Sequence, residues 1–314
     1  MRSSKQLKVL FELFIDNKKY SDRRRPETLR GYRHVFEFFL RQMPHIVYPH
    51  QLTPEVVNTF MKQVQTRTRI VGKGELRSGI KDSTARTYLN KLDTFFRWLV
   101  IAGHLEKNPI LEKGKYPQYN DIRTVSGSDI RKLYTAITLS DSNLFVRKRD
   151  TAMLSTLIYL GLRRGELVGL QVPDLDMERR NLKVRAETSK SKATRVLPVN
   201  DTLYFHLKDF LEERKNRKLT TEFLFASSNQ DRGITKHGLK HWVEKLKKRA
   251  GVTFHLHKFR HTFACGLGKS GASEIKVQLL LGHTDPRMTR KYLRSLGVED
   301  YRDAVNNLTI EHFS

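Results

Sequence analysis

Cysteine is nearly absent: Cys265 stands alone among 314 residues, so no intramolecular disulfide can brace the chain. It falls in an apolar run with helical spacing and reads as a small core residue rather than a reactive thiol. No apolar run approaches the roughly 20 residues of a membrane span, so no membrane-spanning segment is expected. The start, Met1-Arg2-Ser3-Ser4-Lys5-Gln6, is basic but leads into an amphipathic pattern instead of a signal-peptide core. Internal repeats and low-complexity tracts are missing too. Acidic residues are in deficit, 33 Asp and Glu against 59 Lys and Arg, leaving a net charge of +26. The surplus is spread along the whole chain. It points to an intracellular, soluble protein with a polyanionic partner, nucleic acid foremost. Charge alone leaves ribosomal and RNA-binding proteins open beside DNA enzymes.

What is present supports real cores. Hydrophobic residues make up 38% of the chain, with 17 Phe and 11 Tyr, which excludes global disorder. A chain of 314 residues is expected to form two domains, because single cores stop growing near that size. Leu7, Leu10, Phe11 and Phe14 repeat at helical spacing, as do Leu29, Tyr32, Val35, Phe36 and Phe39 after Pro26. Thr53-Pro54-Glu55 opens a third helix with a cap residue and a first-turn proline. A basic, glycine-bearing loop is expected over Arg67–Lys81. A fourth helix then runs from Asp82 or Ser83 to Gly103. Residues 1–110 therefore predict a compact domain of four to five helices, and residues 111–122, carrying Gly114 and Pro117, predict a linker.

Residues 123–314 predict a second domain, mainly α with a small β-sheet (α+β). Helices are expected at Ser128 and over Asp150–Leu160. Leu182–Ala186 and Arg195–Val199 form two strands around a Lys/Ser turn, and helices resume from Thr202 to the end. This half carries a spaced set of reactive side chains. Arg163 lies in Gly161-Leu162-Arg163-Arg164-Gly165-Glu166-Leu167, and Lys190 and Lys192 lie in the turn. His257-Lys258-Phe259-Arg260-His261 precedes Leu281-Gly282-His283, and Tyr292 follows nine residues later.

A DNA phosphodiester is an anion with a poor 5′ leaving oxygen. Two guanidiniums suit its non-bridging oxygens, because their planar forks match phosphate and stay charged. A tyrosine can attack phosphorus, a lysine in a crowded cationic site can protonate the leaving oxygen, and histidines can bond phosphate or take the phenol proton. Such a set needs neither metal nor cofactor.

The ordered series Arg163, Lys190, His257, Arg260, His283, Tyr292 resembles the signature of the tyrosine recombinases, the integrase and Xer family. The likeness runs from about Val125 to Tyr292, with Arg260-His261-Thr262-Phe263-Ala264 and Leu280-Leu281-Gly282-His283 in register. It selects Arg163 over Arg164, and the family's lysine-to-proline spacing, counted back from Pro198, selects Lys190 over Lys192. Tyr292 is the implied nucleophile, and Glu166 an acidic residue supporting the site. His261 is expected to be structural. Arg195 matches the family's turn and, with Lys192, is expected to face DNA.

By the same resemblance, residues 1–110 are a core-binding domain whose Arg86 and Lys91 face DNA, and the two domains form a C-shaped clamp. Only about five residues precede the first helix, so the arm-binding domain of lambda-type integrases is not expected. The tail carries Val298, Tyr301, Ala304, Val305 and Leu308 at helical spacing and is expected to pack on a neighbouring subunit. The implied partners are duplex DNA with paired recombination sites, further copies in a homotetramer, and an accessory directionality protein. The implied location is the cytoplasm, on the nucleoid. Three positions depart from the pattern: the turn holding Lys190 is longer than in simple Xer-type members, residue 164 is arginine, and Arg294 stands where histidine is frequent. A type IB topoisomerase shares much of this chemistry, and a non-catalytic DNA-binding regulator would share the charge.

Overall fold

The computed structural model describes residues 5–72, 74–111, 124–189 and 191–293. The chain divides into two units, residues 1–119 and 120–314. Apart from Leu111, the expected linker lies outside the described residues.

In the first unit α1 (Leu7–Asp16), α2 (Pro26–Gln42), α3 (Pro54–Thr66) and α4 (Asp82–Ile101) enclose an aromatic core. Pro26 and Pro54 occupy first-turn positions, where a missing N–H costs nothing, and the Thr53 hydroxyl accepts from Val56 N–H. Phe11 stacks on Phe36 at 3.9 Å between centroids and meets Phe95 edge-on at 5.2 Å. Beyond α4, Asn108 donates to buried Asp93 at 2.8 Å and accepts from Ile110 N–H at 3.0 Å, which pins the chain as it leaves.

The segment expected as a loop is a β-hairpin. β1 (Thr68–Val71) pairs antiparallel with β2 (Glu75–Ser78), and Gly72 and Gly74 both adopt positive φ in the turn. Arginines alternate with Thr68, Ile70, Leu76 and Ser78, so no stretch of it shows an apolar periodicity.

The second unit is built around α6 (Leu144–Leu160), which is longer than expected and buried on nearly every side. It packs against α5 (Gly127–Thr138), α8 (Asp201–Asn216) and α10 (Leu256–Lys269). The chain turns out of α6 at Gly161 into the short α7 (Arg164–Val168). β3 (Leu175–Asp176), β4 (Asn181–Val184) and β5 (Arg195–Pro198) then form an antiparallel sheet with Leu182 opposite Leu197. Leu182, Val184 and Leu197 face the core while Lys183 and Val196 face solvent, the alternation of a half-covered sheet.

Helices do not resume at once after α8. Residues 217–235 return irregularly through bridges Gln171–Phe223 and Ala226–Gly233, with the Asp231 carboxylate accepting from Thr220 and Thr221. Ser227, Ser228, Asn229, Asp231 and Gly233 cluster in this stretch, and such residues favour turns over helix. α9 (Lys236–Ala250), α10, α11 (Glu274–Leu281) and α12, described over Pro286–Leu293, complete the unit. No described helix is long and apolar enough to cross a membrane. The expected tail helix lies outside the described residues.

Gly161 is decisive for the chain path. It caps α6 at φ 57°, and a Cβ there would meet the Phe263 ring at 2.5 Å. Gly161→Ala is expected to cost about 1–2 kcal/mol through left-handed backbone strain and about 1–3 kcal/mol more through ring displacement. Urea unfolding measures this; an unchanged midpoint would contradict it.

Candidate active site

A buried carboxylate organises the site. Glu166 sits in the first turn of α7, fully enclosed, and accepts from Arg163 N–H at 2.9 Å and from the Arg163 Nη1 at 2.9 Å. From β5, Arg195 reaches the same carboxylate with Nη1 at 3.1 Å and Nη2 at 2.8 Å, and Ser189 Oγ adds a 3.3 Å contact. Burial pushes this carboxyl up, but the Arg195 bonds and charge, then those of Arg163, outweigh it and hold it at about 2. The group is an anion at any physiological pH.

Arg260, on the first half of α10, is also buried. Its Nη1 donates to Gly161 O at 2.9 Å, and its Nη2 donates to Leu281 O. Both acceptors lie at helix C-termini, where carbonyls lack intrahelical partners and carry partial negative charge. Burial and the neighbouring Arg163 pull the guanidinium down to about 10, so it remains a cation at neutral pH. Arg163 Nη2 points at Gly282 O, 3.5 Å away, and Arg195 Nε donates to Leu280 O at 2.9 Å. Gly282, at φ 65°, turns the chain out of α11 and toward His283.

His283 and Tyr292 close the pocket. The His283 Nδ1 pairs with the buried Thr289 hydroxyl at 2.9 Å, while its Nε2 is buried without a hydrogen-bond partner among the described residues. Burial and then the charges of Arg260, Arg163 and Arg195 drive its pKa to about 3, so the ring is neutral. Tyr292, only 4% exposed, stacks on His283 at 5.6 Å and meets His261 edge-on at 4.6 Å. Arg260 lies within hydrogen-bonding reach of its phenol. Burial raises the phenol above its ordinary value despite that cation, so here the hydroxyl keeps its proton. His257, exposed at the start of α10, stands edge-on to His261 at 4.7 Å, so three rings run in series from solvent to Tyr292.

Arg163, Glu166, Arg260, His283 and Tyr292 therefore meet in one place, with His257 one ring away. Lys190 lies outside the described residues. Lys192 is exposed at φ 55° in the turn before β5. Arg195 departs from expectation: its guanidinium is turned inward and bound to Glu166, not free for DNA, because the buried carboxylate needs a second cation. In the first unit Arg86 is exposed on α4. Lys91 instead folds against α2, its ammonium 5.9 Å from the Tyr32 ring in the space that Gly31 leaves open, and burial lowers its pKa.

Residues 124–297, over half the chain, match the model of the phage integrase family. The chain belongs to that family. Its relatives include a tyrosine recombinase of Thermosipho africanus, 26% identical over 302 residues and spanning 95% of this chain and 99% of the relative. The tyrosine recombinase XerD of Listeria innocua is 30% identical over 217 residues, 67% of this chain and 70% of that protein. Among solved structures, the Tn1549 transposon integrase in complex with a circular intermediate DNA superposes with a TM-score of 0.71 at 18% identity, over 96% of this chain and 99% of that one. A lambda integrase from a tetramer bound to a Holliday junction gives 0.69 at 19%, over 93% and 79%. At those identities the superpositions establish a shared fold.

Within the integrase family frame, three contributors are not evident from sequence: the inward role of Arg195, the Thr289 hydroxyl behind His283, and the His261 ring against Tyr292. The last has a signal, since His257 and His261 are one helical turn apart on α10. The other two have none, because each depends on which way a side chain turns after folding. Removing the Glu166 charge tests the arrangement. Glu166→Gln strands two guanidiniums and is expected to lower stability by about 3–5 kcal/mol at pH 7. A depressed carboxyl contributes fully above the usual range near 4.3 and loses that contribution as pH falls toward about 2. The gap in melting temperature between wild type and variant should therefore narrow over that window; a pH-independent gap would contradict the ion cluster.

Proposed function

We propose that this protein is a site-specific DNA recombinase that cuts and rejoins strands through a 3′-phosphotyrosyl intermediate. The observation that carries the reading is the convergence of Arg163, Arg260 and His283 on the Tyr292 phenol. Their cationic surplus, three guanidiniums around one carboxylate once Arg195 is included, matches a phosphate that gains charge in the transition state. The Tyr292 oxygen attacks phosphorus and its proton passes to His257. The bond from phosphorus to the 5′ oxygen breaks, and Lys190 supplies the proton that makes a 5′ hydroxyl. Attack by the 5′ hydroxyl of a second strand reverses these transfers and releases the tyrosine. No cofactor enters, because the phosphotyrosyl bond conserves the energy needed for rejoining.

The remaining assignments follow the same reading. Residues 1–110 serve as the core-binding domain, the exposed Arg86 and Lys192 contact DNA, and residues 123–314 form the catalytic domain of a clamp around the duplex. Two paired sites assemble four copies, exchange passes through a Holliday junction, and the tail beyond Tyr292 docks on a neighbour. The biological setting is integration and excision of a mobile element or Xer-like dimer resolution, in the cytoplasm on nucleoid DNA, with an accessory protein setting direction. Of the activities that the sequence leaves open, recombination is the one that the named relatives carry.

A nicked suicide duplex bearing a cognate site tests the chemistry. With chelator present, wild type should become covalently trapped and Tyr292→Phe should form no adduct; an adduct on the variant would remove Tyr292 from its role. Deleting residues 303–314 should abolish recombination between two sites yet spare binding to one. Recombination at the wild-type level would refute the docking of the tail. A topoisomerase would instead relax plasmids lacking any site.

A further inference from the structure

The hairpin of β1 and β2 has no part in the chemistry above, and its composition is unusual for a connector. All four residues of β2 are exposed, as are Thr68 and Ile70 of β1. The ribbon is fastened at its base, by Gly79 N–H to Arg67 O at 2.8 Å, Arg69 Nε to Gly79 O at 2.8 Å, and Ser78 Oγ to Thr66 O at 3.2 Å. A two-stranded ribbon left in water is marginally stable on its own.

Each face of the ribbon carries a feature that solvent does not reward. On one, Ile70 stands directly opposite Leu76, and the two are 73% and 71% exposed, outside the aromatic core. A ribbon serving only to join α3 to α4 would turn such a pair inward or replace it with polar residues. On the other, Arg69 stands directly opposite Arg77, a like-charge pair that is unfavourable across strands. Arg77 leans on Glu75 at 2.9 Å, the single acidic residue in a stretch with five basic ones between Arg67 and Lys81.

We propose that this ribbon enters the major groove of duplex DNA and extends the contact made by α4. A major groove admits a two-stranded ribbon, arginines reach phosphates and guanine edges, and exposed aliphatic side chains meet thymine methyls. Glu75 balances only one of the two arginine charges, so the partner supplies a further anion as well as apolar contact for Ile70 and Leu76. The ribbon runs through Gly79 straight into the exposed start of α4, where Ser83, Arg86, Thr87 and Asn90 share one face. One continuous footprint results. The inference rests on the DNA-handling reading and assigns this ribbon a role in choosing the site.

Two full-length variants test it, Arg69→Gln/Arg77→Gln and Ile70→Ser/Leu76→Ser, each first shown to unfold at the wild-type temperature. Affinity for a random-sequence duplex is measured against salt, and preferred sequences are selected from a randomised duplex pool. The arginine variant should flatten the plot of log affinity against log salt by about 2, one unit for each arginine withdrawn from a phosphate. The aliphatic variant should keep the wild-type slope and lose preference at thymine positions in the selected pool. Wild-type slopes and wild-type preferences in both variants would overturn the ribbon's role while leaving the catalytic reading intact. Failure of the wild type to bind duplex at all would defeat that reading, and this inference with it.

Discussion

The enclosed Glu166 carboxylate is the constraint on which the proposed site depends. It lies where two guanidiniums would otherwise repel each other, and the hydrogen bonds it accepts from Arg163 and Arg195 fix both. Those bonds tie the start of α7 to β5, and Arg195 carries the link on to the end of α11 through Leu280 O. One charge thereby locks three elements from distant stretches of sequence. The carboxylate neutralises only part of the local charge, so the pocket remains a place where an anion is favoured.

Helix ends supply the rest of the scaffold. The carbonyls that hold Arg260, Arg163 and Arg195 come from residues 161 and 280–282, where α6 and α11 terminate on left-handed glycines. A helix N-terminus would present N–H groups to phosphate directly. Here the C-terminal carbonyls orient cations, and the cations are left to face the phosphate. This arrangement explains why glycine stands at 161 and 282 beside the chemistry: each both ends a helix and leaves room for a large neighbour, Phe263 in one case and Arg195 in the other.

Much of this is legible in the amino-acid sequence. The four helices of the first unit follow from apolar spacing and from proline and threonine caps, and the sheet of the second from alternation around a Lys/Ser turn. The order of Arg163, Arg260, His283 and Tyr292 foretells the composition of the pocket. Less legible are features set by long-range packing. The hairpin is hidden because arginine fills positions where strands usually show apolar residues. Residues 217–235 depart from the helix expected beyond Thr202, because their Thr, Ser and Asn side chains favour turns. Arg195 and Lys91 are basic residues on a basic chain, and only folding reveals that one neutralises a buried carboxylate while the other folds against Tyr32.

The most direct test of the central claim is a double-mutant cycle on the rate of covalent trapping at saturating cognate duplex, using Glu166→Gln, Arg163→Lys and the pair together. If Glu166 acts by aiming Arg163, each single change slows trapping, on the order of 10²–10³-fold for the loss of one aimed donor, and the pair is no slower than the worse single variant. Losses that multiply would mean that the two side chains act independently, and the claim that one buried carboxylate organises the site would fail.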